Sequence, residues 1–77
     1  MNYQNKIEHN PDIMLGKPVI KGTRISVEII LKKLSEGASV EELLKSYPML
    51  TKEDIYACLY YASAIIANEE IIIPQAS

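Results

Sequence analysis

The sequence predicts a mainly α fold, with helices following a short N-terminal β element, on three observations. Apolar residues recur at helical spacing in three successive stretches after Ser26. Ser26, Ser39 and Thr51 stand where each of those stretches would open as a helix. Ahead of them, Gly16 to Ile25 reads Gly-Lys-Pro-Val-Ile-Lys-Gly-Thr-Arg-Ile, a short apolar run held between turn residues and three cations. At 77 residues the chain is expected to form a single domain over 1–77, with flexible tails at 1–6 and 74–77.

The β element comes first. Asn10-Pro11 favours a turn, with Ile7 before it and Ile13-Met14-Leu15 after it, which predicts two short extended pieces. Pro18 fixes its own φ and lacks an N–H, so it suits the first residue of an edge strand continued by Val19-Ile20. Gly22 permits a positive φ, and the strand should end there in a tight turn flanked by Lys21 and Arg24, with Lys17 just before it. Successive N–H groups in such a turn can form a concave anion-binding nest that nearby cations would strengthen. In the plainer reading Gly22 only turns the chain and Arg24 pairs with an acid such as Glu28.

The helices follow. After Ser26, the residues Val27, Ile30, Leu31 and Leu34 fall on one face, Glu28 and Lys32 form a favourable i, i+4 pair, and Gly37 ends the helix. Ser39 and Glu42 make a capping box for a second helix carrying Val40, Leu43, Leu44 and Tyr47. Pro48 closes it and pushes Tyr47 out of the α region, so 47–50 should be a connector packed on the core. Thr51 caps the third helix, with Asp54 completing a weaker box.

From Ile55 to Asn68 no residue is charged. Ile55, Leu59, Ala62 and Ile66 make one stripe, and Tyr56, Tyr60 and Ser63 make a second. A helix apolar nearly all round must bury more than one face, and so small a chain has little with which to cover it. The second stripe is therefore expected to be an interface, to which tyrosine contributes area at small entropy cost. The chain ends on Ile71-Ile72-Ile73-Pro74, read as a short strand that must pair with the N-terminal strand, a sister subunit or another protein.

Charge narrows the function. The net charge of −2 argues against a polyanion-binding surface over the whole molecule, yet the balance is +2 up to Arg24 and −4 beyond it. An anionic partner should meet the N-terminal third. The second and third helices fit a helix-turn-helix arrangement. Its reading surface, Thr51-Lys52-Glu53-Asp54, sets two acids against one lysine, so double-stranded DNA would be met at Lys17, Lys21, Thr23 and Arg24, supplemented by Lys52.

Enzymatic chemistry finds little support. Neither Gly16-Lys17-Pro18 nor Gly22-Thr23 fits a phosphate-cradling loop, and no Cys/His cluster has zinc-ligand spacing. His9, the one histidine, lies in a polar turn. Cys58, the one cysteine, lies in the apolar run without a basic neighbour. No cofactor or metal is expected. With no disulfide available, self-association is the remaining way to stabilise a small core. No leader-like segment or membrane-spanning run is evident, which predicts a cytoplasmic protein.

The run from Gly16 to Ile25, together with Gly37-Ala38-Ser39-Val40-Glu41-Glu42-Leu43 and Tyr47-Pro48-Met49-Leu50-Thr51-Lys52-Glu53-Asp54-Ile55, closely resembles the family called domain of unknown function 433. The resemblance covers roughly Ile7 to Ala67. It implies a homeodomain-like three-helix fold with a small β element, often paired into dimers. It carries over to the turn residues Gly16, Lys17, Pro18, Gly22, Thr23 and Arg24 and to Tyr47, Pro48 and Leu50 of the connector. Because that family is likened to VapB-type antitoxins, it also implies a homodimeric regulator that binds a PIN-like ribonuclease toxin in a prokaryotic toxin–antitoxin pair. The alternative is a pure assembly module that binds protein alone.

Overall fold

The computed structural model describes residues 3–72, with side chains described for 5–67. Strand β1 (Ile7–His9) pairs antiparallel with β2 (Pro18–Ile20), in the register Ile7 to Ile20, Glu8 to Val19 and His9 to Pro18. Three helices follow: α1 (Val27–Ser35), α2 (Val40–Ser46) and α3 (Lys52–Ile72). Pro18 opens its strand as expected, and Gly22 takes a φ of 82° in the turn after it.

Each helix begins where a hydroxyl captures a stray N–H. Ser26 Oγ accepts from the Ile29 N–H at 3.1 Å. Ser39 and Glu42 form the reciprocal box, at 3.1 Å and 2.7 Å. Thr51 and Asp54 form the same box with the shorter acid, at 3.3 Å and 2.9 Å. Tyr47, ahead of Pro48, leaves the α region with φ −127° and ψ 77°. Leu50 then buries, while Met49 of the same connector is exposed rather than packed on the core.

One core forms where the hairpin and all three helices meet. Ile20 contributes from β2, Val27 and Ile30 from α1, Leu43 from α2, Leu50 from the connector, and Ile55 and Cys58 from α3. Leu31, Leu34, Val40, Leu44 and Tyr47 pack against it half-buried, as their helical spacing predicts.

Four further expectations are corrected. Residues 3–6 are not a loose tail: Tyr3–Lys6 form a 3-10 turn against α3. The Lys6 carbonyl accepts from the Lys21 N–H at 2.8 Å, and the Lys6 ammonium stands 3.8 Å from Asp54 of α3. Met14 and Leu15 are not extended. Pairing His9 with Pro18 forces the intervening loop to double back, and Met14, Leu15 and Gly16 do so in left-handed conformations, at φ 54°, 58° and 83°. For the first two this costs roughly 1–2 kcal/mol each.

Ile71 and Ile72 are helical, not a strand. Extending an existing helix residue by residue is far easier than starting a new element. Ile73 and the tail at 74–77 lie outside the described residues. Finally, Leu59 and Ile66 do not face the core: they are 44% and 55% exposed, and the buried line on α3 runs through Ile55, Ala57 and Cys58 to half-buried Tyr61 and Ala62.

Replacing Gly22 with alanine should lower unfolding stability by about 1–2 kcal/mol in a denaturant titration. Nothing lies within 4 Å of where the new Cβ would sit, so the penalty comes from the positive φ alone.

Candidate functional site

Two surfaces collect the residues that the sequence marks out. The first is the turn after β2. Its backbone donors are satisfied from within the chain: Lys21 N–H by the Lys6 carbonyl at 2.8 Å, Gly22 N–H by a Glu8 carboxylate oxygen at 3.4 Å, and Thr23 N–H by the Ile20 carbonyl at 3.0 Å. Thr23 is equally committed, since its hydroxyl donates to the Ile20 carbonyl at 2.7 Å and accepts from the Ile25 N–H at 3.0 Å. The nest is therefore closed by Glu8, and Thr23 shapes the turn. What the turn offers to solvent is side-chain charge.

That charge is partly spent. Lys17 donates to Glu28 of α1 at 3.3 Å, so Lys17, and not Arg24, is the partner of Glu28. Lys32 stands 3.9 Å from Glu36, one turn along the same helix. Among the described residues, Lys21 and Arg24 are exposed cations that join no ion pair. Arg24, Glu28 and Lys32 line one shallow groove with Met14 and Ile29. The fold thus sets Lys17, Arg24 and Lys32 near Glu28, and of these only the approach of Lys17, from a loop 11 residues away, is invisible to spacing. Lys52 is exposed at the start of α3, where Asp54 is held by Thr51 and by Lys6; no described contact links it to the basic turn.

The second surface is the outer face of α3. Tyr56, Leu59, Tyr60 and Ile66 are between 43% and 55% exposed, and Ser63 lies exposed among them. Tyr56, Tyr60 and Ser63 were legible as a stripe; Leu59 and Ile66 join it because the helix is turned so that Cys58, not Leu59, enters the core. The side chains of Ile71 and Ile72 lie outside the described ones, as does Ile73 altogether.

Between the hairpin and α3 lies a cleft of about 270 Å³ bordered by Ile7, His9, Tyr61 and Ile65. His9 Nδ1 is 3.1 Å from the Gly16 carbonyl and Nε2 is 3.2 Å from the Tyr61 hydroxyl. A carbonyl can only accept, so Nδ1 carries the proton of the neutral ring and Nε2 accepts from Tyr61. Sequence reasoning missed this pair, 52 residues apart. It ties the strained loop to α3 and uses both ring nitrogens, so His9 holds structure here. No group of three or more His, Cys, Asp or Glu that could hold a metal occurs among the described residues. Nor, among them, is any helix long and apolar enough to cross a membrane.

A family model described as "Protein of unknown function (DUF433)" matches residues 7–62. The chain belongs to the DUF433 family. A crystal structure of a DUF433 member from Anabaena variabilis ATCC 29413 is similar, with a TM-score of 0.77 and 35% identity, covering 94% of this chain and 71% of that one. The uncharacterized protein y4eO of Sinorhizobium fredii (strain NBRC 101917 / NGR234) is 38% identical over 58 residues, which is 75% of this chain. This DUF433 chain spans only 26% of the length of y4eO. The matched region takes in the hairpin, the basic turn, α1, α2 and the first half of α3.

Cys58, on the buried line of α3, has its thiol pushed up to about 12 from 9.0, by burial first and the nearby Asp54 charge second. At neutral pH it should resist a thiol reagent in the folded DUF433 chain and react promptly in denaturant. The sign of the linkage follows: the folded state holds this proton more tightly, so its contribution to stability is fully present below pH 9.0 and is lost as pH rises toward about 12. Denaturation midpoints measured across that window should fall.

Proposed function

We propose that this DUF433 chain is a non-enzymatic, antitoxin-like regulator: it dimerises, holds a partner protein, and meets operator DNA through the basic turn. The observation that carries this reading is the charge-free outer face of α3, whose large apolar side chains stand open to solvent. The partner best matched to the family likeness is a PIN-like ribonuclease toxin. The DNA arm is supported by Lys21 and Arg24, exposed cations outside any described ion pair, with Lys17 and Lys32 beside them. A few phosphate contacts per subunit bind weakly, and pairing two subunits doubles them.

A second reading, an assembly module that binds protein alone, is favoured by the start of α3. There Thr51 and Asp54 are locked in a capping box and Glu53 adds a further acid, which suits neither phosphate nor a major groove.

The deciding experiment is a titration of promoter DNA from the protein's own operon at low salt. On the regulator reading the wild-type chain binds, and Lys21→Ala combined with Arg24→Ala weakens binding and makes the log–log salt slope shallower by about 2 per subunit. Binding unchanged in the double variant would remove the turn from the interface. No binding by the wild type would leave the assembly module.

A further inference from the structure

We propose that Leu15, at the tip of the hairpin loop, is an apolar wedge that enters the base stack of duplex DNA held by the cations near it. This rests on the regulator reading above and deepens its DNA arm, because it names the side chain that acts on the duplex and the deformation it causes.

Leu15 is the most exposed large apolar side chain among the described residues, at 93%, and Met14 beside it is 46% exposed. Neither is left outside by slack in the chain. Both hold left-handed backbone, which leucine and methionine adopt only where their neighbours dictate it. Four hydrogen bonds do so here. The Ile13 N–H donates to the Asn10 carbonyl at 2.8 Å, the Gly16 N–H to the Ile13 carbonyl at 3.1 Å, and the Lys17 N–H to the Met14 carbonyl at 3.1 Å. His9 Nδ1 donates to the Gly16 carbonyl at 3.1 Å. The loop thus accepts strain and forgoes apolar burial together, and the outcome is one leucine held rigidly in solvent.

Charge and size decide the occupant. Met14 lines the groove that Arg24 and Lys32 also line, and Lys17 follows Leu15 by two residues. Of the acids nearby, Glu28 is met by Lys17, and Asp12 is the one acid between residues 10 and 16. An apolar tip beside clustered cations fits a partner that is anionic outside and apolar within. Duplex DNA is such a partner. Its phosphates flank a stack of flat bases, and one or two apolar side chains inserted from the minor groove open a base step and kink the helix. A pyrimidine–purine step, the easiest to unstack, is the expected seat. An anionic lipid surface has the same layering but demands more apolar reach than Leu15 and Met14 supply, since even a single myristoyl chain holds to it only marginally.

The wedge is read by circular-permutation electrophoresis on promoter fragments from the protein's own operon at low salt. The wild-type chain should bend the DNA by at least about 20°. Leu15→Ala should bind about tenfold more weakly and leave the DNA straight, with the log–log salt slope unchanged because no cation is lost. Leu15→Phe, which keeps an apolar wedge, should keep the bend. Leu15→Asn, at home in left-handed backbone, should raise the denaturation midpoint and abolish the bend, which separates the wedge from the fold.

Wild-type binding without a bend, or an unchanged bend in Leu15→Ala, would overturn the wedge and leave the regulator reading standing. A salt slope that falls in Leu15→Ala would mean that Leu15 only seats the cations, and would overturn it too. If the wild type binds no promoter fragment, the wedge and the DNA arm fail together. Binding instead to phosphatidylserine vesicles, lost in Leu15→Ala, would give the tip to a membrane and overturn the proposal.

Discussion

Everything in this molecule depends on how α3 is rotated about its own axis, and that is set by Ile55 and Cys58 entering the core beneath Ile20, Val27, Ile30 and Leu43. A helix with apolar residues on all sides carries no internal instruction about which face goes inward. The decision falls to its first turns, where Thr51 and Asp54 fix the helix start and Asp54 reaches Lys6 beneath the hairpin. Burying Ile55 leaves both Cys58 and Leu59 within reach of the core, and it is the burial of Ala57 and Cys58 beside it that fixes the rotation and turns Leu59 and Ile66 out.

The hairpin is the counterpart of that helix. Its two strands are only three residues each, too short to be stable alone, and they survive because Ile20 is in the core and Val19 is buried beside it. The loop between them accepts left-handed backbone at Met14 and Leu15, and His9 reaches across to hold both the Gly16 carbonyl and the Tyr61 hydroxyl. Strain in the loop and the rotation of α3 are thus tied through one imidazole. Glu8 does similar work at the other end, closing the Gly22 turn with its carboxylate. These contacts make the basic turn rigid, so Lys21 and Arg24 project from a fixed platform.

Two surfaces of opposite chemistry result. One is cationic and polar, at the turn and along α1; the other is apolar and free of charge, along α3. Their separation suits a protein that assembles through one face and presents charge on another. It also explains why Lys52 stands apart from the other cations: it belongs to the start of α3, among acids that serve the helix cap.

Much was legible from local rules. Ser26, Ser39 with Glu42, and Thr51 with Asp54 mark helix starts because a cap is a bond between neighbours three residues apart. Pro18 and Gly22 mark the strand and its turn because each restricts or frees its own φ. What sequence could not settle was everything that depends on distant partners. The isoleucines at 71 and 72 favour a strand by type, yet continue the helix that precedes them. The acid that neutralises Lys17 and the hydroxyl that meets His9 lie 11 and 52 residues away. Above all, the sequence by itself determined that α3 has too many apolar faces for one core. Only the tertiary structure decided which of them stays outside, because the choice is made where Ile55 meets a pocket built from the hairpin and two other helices.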